Sequence, residues 1–292
     1  MINFRYHVVS IIGIFIALAV GVVLGAGPLQ SRIQAGVSST ADPLLSAQAD
    51  AEAAGLKALA SSTLTGSLSS AKVALVVLPG ASDDDVTAIR STLTDAGASV
   101  IGRVTLTDNW QSTSMSQYRT TLSTTLASHL ASGAAKTASA DGVVGYSIVQ
   151  VLTTTGAETD LLRQILTDES TPIMTVDEDA NGGATAIVAV GPRAQATAVS
   201  NATPAAATHS SDAWVGLGQA LGSTNGVLVG DASTRDAMIS QVRASGVTVT
   251  TVDSVGTTLA AVDTALALST PATGARAFGV GNGAQSVIPS NK

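Results

Sequence analysis

Residues 71–106 read AKVALVVLPGASDDDVTAIRSTLTDAGASVIGRVTL. From Val73 to Leu78 the chain is continuously apolar and then stops at Pro79-Gly80, the pattern of a strand buried on both faces. Ser82 stands where a helix N-cap belongs, and Asp83, Asp84 and Asp85 fill the first turn, where the helix dipole favours acids. The helix runs through Val86, Ile89, Arg90 and Leu93, with Gly97 placed to end it. Ala98–Leu106 then reads as a second strand. Strand, helix and strand at this spacing make a βαβ unit, which calls for a right-handed crossover.

The same grammar returns at 226–255, GVLVGDASTRDAMISQVRASGVTVTTVDSV. It predicts a strand over 226–230, a helix from about Ser233 to Ser245, a stop at Gly246 and a strand over 247–252. Ser233 with Asp236 three residues on repeats the capping arrangement of Ser82 with Asp85. The fold class is therefore α/β, with a mostly parallel sheet built from repeated βαβ units. The exported domain expected over 72–292 is either two related halves, about 72–170 and 171–292, or one sheet that uses the unit twice. Between the repeats, helices are expected over 115–130, 158–166 and 214–221, with another over 258–268. Ala184–Pro192 reads as a buried strand, and Val143–Leu152 fits strand and helix equally. Ala194–Ser211, rich in Ala and Thr with Pro204, reads as a surface loop. The closing FGVGNGAQSVIPSNK reads as a short strand, a Gly-rich turn and a polar tail.

Upstream of 71 the chain changes character. From Val8 to Leu24 no residue is charged. With Gly25–Gly27 the run approaches the roughly 20 residues that a helix needs to cross a bilayer, and in lipid a single segment satisfies its backbone only as a helix. Val8, Ile11, Ile12, Ile14, Phe15, Ile16, Leu18, Val20, Val22, Val23 and Leu24 are the expected anchor residues of a span over 1–29. Arg5 and His7 precede the run and the next cation is Arg32, which orients the N-terminus inward and the rest of the chain outside the cell membrane. A cleaved secretory signal is the rival reading, although its apolar stretch is ordinarily shorter. Residues 30–71 turn to Ala, Ser and Gln. Pro43–Leu64 fits one helix with Asp42 as its cap. The segment reads as a short helical stalk that pairs with a second copy into a homodimer, or as a Ser/Ala-rich linker.

Composition narrows function. The formal net charge is −7, with 12% charged residues and no basic cluster, which argues against nucleic acid and anionic head groups as partners. There is no cysteine, so disulfides, thiolate metal sites and a cysteine nucleophile are all excluded. His7, His129 and His209 have no second histidine at i+3 or i+4, and Met115, Met174 and Met238 are dispersed. No metal, cofactor or catalytic residue is assigned, and no enzyme is expected. Asp83–Asp85 reads as a helix start and Asp177-Glu178-Asp179 as a turn with solvated charge. Gly279-Val280-Gly281-Asn282-Gly283 lacks the helix and distant acid of a dinucleotide loop. Asp231 lies at the carboxyl end of a buried strand, where α/β sheets bind ligands. With Ser233 it forms the candidate ligand crevice, the alternative being a helix cap.

FRYHVVSIIGIFIALAVGVVLG at 4–25 and GVLVGDASTRDAMISQVRASGVTVTTVDSVGTTLAAVDTALAL at 226–268 together resemble the actinobacterial MctB-type family, which includes SteB-type envelope proteins. The resemblance implies one N-terminal membrane helix, a coiled-coil stalk and an exported α/β domain. It also implies a part in copper efflux or homeostasis, and copper enters as a ligand through the resemblance alone. The SteB-type alternative is a scaffold that binds a partner membrane protein and helps regulate peptidoglycan hydrolysis in cell separation.

Overall fold

The computed structural model describes residues 43–194, 208–270 and 274–289. The anchor residues Val8–Leu24, the cap Asp42 and most of the 194–211 loop lie outside them. Among the described residues no helix is long and apolar enough to cross a membrane. The chain divides into two compact units, 1–52 and 53–292. In the first, the described residues are the opening turns of helix α1 (Pro43–Leu64), solvent-exposed from Leu44 to Glu52. Gly55 does not interrupt α1.

In the second unit seven strands form one sheet in the order β3-β2-β1-β4-β5-β6-β7. They are β1 (Lys72–Val77), β2 (Ser99–Leu106), β3 (Met174–Glu178), β4 (Ala186–Val190), β5 (Asn225–Val229), β6 (Thr250–Val252) and β7 (Arg276–Phe278). Every neighbouring pair is parallel except β2 and β3. The fold is α/β and mostly parallel, as the paired repeats imply, and it is one continuous sheet in which the βαβ unit occurs four times, at β1–β2, β4–β5, β5–β6 and β6–β7.

The period of two along β1 separates the cores. Val73, Leu75 and Val77 face a layer made by the end of α1, α2 (Asp83–Asp95) and α8 (Thr258–Ser269). Ala74, Val76 and Leu78 face the other layer. That layer holds α3 (Ser116–His129), α4 (Ala140–Thr153), α5 (Ala157–Leu166), α6 (Ser211–Gly222) and α7 (Met238–Ala244). Both faces being covered explains why the strands read as unbroken apolar runs rather than alternating ones. The stop at Gly97 sits at φ +97°, which a glycine adopts without strain.

Val143–Leu152, ambiguous by pattern, is helix α4. Ser139 caps it, accepting a hydrogen bond from the Gly142 amide at 3.1 Å. Its β-branched residues are tolerated because tertiary packing decides: a Cβ on Gly145 would lie 2.7 Å from the Gly216 carbonyl oxygen, so α4 and α6 meet backbone to backbone.

Three expectations are corrected. Ser82 precedes α2 but makes no side-chain cap bond. Asp177-Glu178 belong to β3, the antiparallel edge strand, rather than to a turn. Glu178 accepts from Arg90 at 2.6 and 2.7 Å and Asp177 accepts from Thr105 at 2.6 Å. Charge on an exposed edge blunts pairing with other chains. The helix expected from Ser233 begins only at Met238, and β6 is three residues long. Asp231 is the cause: its carboxylate accepts the Ser233 amide at 2.8 Å and the Ser233 hydroxyl at 3.0 Å. That local turn competes with helix geometry.

Candidate functional site

The strand order reverses between β1 and β4, and open α/β sheets bind ligands outside the carboxyl ends of the strands at such a point. Here that place is occupied by the chain itself. Arg193, just past β4, donates to Asp85 in the first turn of α2 at 2.7 Å through Nε and 2.6 Å through Nη2. Asp85 is buried and Arg193 half-exposed. The two-point contact with Asp85, and then its charge, raise the Arg193 pKa. The acidic triplet thus divides its work: Asp85 joins two strand ends, and Asp83 accepts from Arg103 at 3.0 Å. Pro192 closes over Gly80, whose added Cβ would lie 3.5 Å from it. Beside the ion pair a cavity of about 300 Å³ opens between α2 and the start of α8, lined in part by Lys57, Asp84, Thr257 and Thr258.

A second crevice, of about 460 Å³, lies over the carboxyl ends of β5, β6 and β7. It brings together Asp231 and Ser233 with Asp253, Ser254, Gly281 and Asn282. Asp231 is half-buried and Ser233 exposed, and the two are bonded to each other as described above. Ala232 ties this loop to the C-terminal segment, its carbonyl accepting the Asn282 amide at 2.9 Å. Ser254 adopts φ +62°, an uncommon conformation for a residue with a Cβ.

The floor of this crevice is a buried ion pair. Asp253 is 1% exposed and accepts Arg243 Nη1 at 2.9 Å, the Ser254 hydroxyl at 2.6 Å, the Val280 amide at 2.8 Å and the Gly281 amide at 3.0 Å. Arg243 also donates to the Phe278 carbonyl at 2.9 Å, the Asn282 carbonyl at 2.8 Å and Thr251 Oγ1 at 3.0 Å. Burial pushes the Asp253 carboxyl up, but the bonds from Ser254, Val280, Arg243 and Gly281 outweigh it and hold it below the usual range. Burial lowers the Arg243 pKa, against the raising effect of Asp253. This latch pins the glycine-rich 279–283 segment, and it demands the glycines. A Cβ on Gly279 would fall 2.0 Å from Asp253 Oδ1.

Of the dispersed soft-ligand candidates, Met174 and Met238 are core residues. His129 pairs with Glu158 on the surface, and His209 tilts against Trp214 with ring centroids 6.4 Å apart. Among the described residues no group of three or more His, Asp or Glu is placed to hold a metal ion. Arg193, Arg243 and Asp253 carry the electrostatics of this end of the sheet, with Asp263 buried in the middle of α8, and no recognised motif marks any of the four. Asp253 had a signal, a lone acid at a strand end like Asp231. Asp263 had another, a single charge inside the apolar helix TLAAVDTALALS.

A family model described as "Copper transport outer membrane protein, MctB" matches residues 1–289. No curated protein matches the chain.

Proposed function

The chain belongs to the MctB family, and from that premise we propose that it serves copper efflux or homeostasis from the cell envelope. In this reading the 8–24 segment anchors it by a single pass and the α/β domain stands outside the membrane. The observation that carries the reading is the match of the family model along nearly the whole chain. The family's description supports a copper-related protein of the outer membrane or envelope.

The chain's own chemistry bears on how it would act. It has no cysteine, its two described histidines are apart and otherwise engaged, and two of its methionines are core. Such a chain contributes to copper transport as a non-enzymatic component that works through an envelope partner. The test compares a deletion strain with one complemented by the full chain. Deletion raises cell-associated copper and copper sensitivity, and complementation restores both. Unchanged copper would remove the proposal.

A second reading, the SteB-type scaffold, is favoured by the two crevices, whose carboxylates Asp85 and Asp253 are engaged by the chain's own Arg193 and Arg243. It predicts chained, unseparated cells in the same deletion strain. Normal separation would sink it.

A further inference from the structure

Asp263 lies in the middle of α8, 0% exposed, and neither carboxylate oxygen has a hydrogen-bond partner. A buried carboxylate without a partner is not stable as an ion, and the group responds by holding its proton. The elements packed most closely against α8 are α2, β5 and β6, with the end of α1 and Phe278 of β7 in the same apolar cluster. From α2 comes Asp85, already bonded to Arg193. The other charged residues of α2, Asp83, Asp84, Arg90 and Asp95, lie outside its buried stripe. β5 carries no ionisable side chain. Beyond β6 stands Asp253, bonded to Arg243. Arg276 of β7 reaches α8 only at its carboxyl end, donating to the Ala267 carbonyl at 3.0 Å and to the Thr270 carbonyl beyond. Lys57 lines the cavity at the other end of α8, beside Thr258. None of these cations bonds Asp263.

We propose that Asp263 is a proton-operated lock on the C-terminal end of the sheet. With the proton bound, α8 seats dry against β5 and β6 and the Asp253–Arg243 latch stays shut. With the proton lost, a bare charge in the core beside Asp253 loosens the latch and the 276–289 segment that it pins. Burial, and then the field of Asp253, push the Asp263 carboxyl up to about 7. With α8 lifted off β5 and β6 as the segment opens, the same group meets water and would titrate near the ordinary value of about 3.9. Opening therefore releases a proton between those limits. Closure is fully favoured below the lower limit, weakens as pH rises towards 7, and is constant above it. Asp253 titrates below its usual range, so its own acid sensitivity falls outside this window. The lock is independent of the copper reading.

Hydrogen exchange of the full chain in detergent, read by mass spectrometry from pH 5 to 8 and corrected for intrinsic rates, tests it. In the wild type the opening constant of residues 277–283 rises about tenfold per pH unit up to roughly pH 6.5 and levels off above 7. In Asp263→Asn the rise disappears, and at pH 8 the segment is at least about tenfold better protected than in the wild type. A flat wild-type profile would overturn the proposal without any variant. So would an undiminished rise in Asp263→Asn, which would take the proton away from Asp263. Should Asp263→Asn fail to fold, because its amide brings two N–H donors into a site without partners, the wild-type profile alone decides.

Discussion

Asp253 takes four hydrogen bonds from groups spread over Arg243, Ser254, Val280 and Gly281. Removing one partner of a buried pair costs far more than the pair itself is worth, because the other charge stays buried. Asp253→Ala should therefore destabilise the domain by about 3–5 kcal/mol, measured by urea unfolding, and Gly279→Ala should approach the same loss by driving a methyl into the carboxylate. A loss below about 1 kcal/mol in both would mean that the latch is not closed in solution. At this scale little was legible in advance. Asp85 was readable as a helix start because dipole chemistry is local. Its bond to Arg193 spans 108 residues of sequence, and no local pattern encodes that.

Among the elements, legibility followed the range of the forces. The runs 73–78 and 186–190 are strands because burial on both faces leaves only apolar residues, a pattern visible in any window. Helix α1 has the bounds that Pro43 and the spacing to Leu64 implied. The helix expected at 233 failed because Asp231 captures Ser233 before the helix can start. β3 was missed because its charges, which serve an edge, look like a turn. Two tests belong here. In α1, Leu64 is buried and Leu59 is 66% exposed. Leu64→Ala should cost about 2–5 kcal/mol and Leu59→Ala less than about 0.5 kcal/mol in the same unfolding assay. At the opposite edge of the sheet, Gln285 and Ser286 cover β7, with the Gln285 amide donating to the Ala277 carbonyl at 2.8 Å and the Gly279 amide to the Ser286 carbonyl at 3.0 Å. Removing residues 284–292 bares that edge, and light scattering should then show concentration-dependent association. A chain that remains as monodisperse as the wild type would show that the segment does not guard the edge.

For the 53–292 unit as a whole, one mostly parallel sheet between two helical layers places one crevice over the carboxyl ends of β5, β6 and β7 and the other beside the Asp85–Arg193 pair, between α2 and α8. The chain then spends their charges on itself. An acidic chain with no cysteine offers copper few soft donors, and it is therefore proposed to serve copper through an envelope partner rather than as the binder. The direct measurement is cell-associated copper, per unit of cell protein, in the deletion strain grown at sub-inhibitory copper. The account predicts a raised copper content that returns to the wild-type level when the full chain is restored. A deletion strain with wild-type copper content would contradict it.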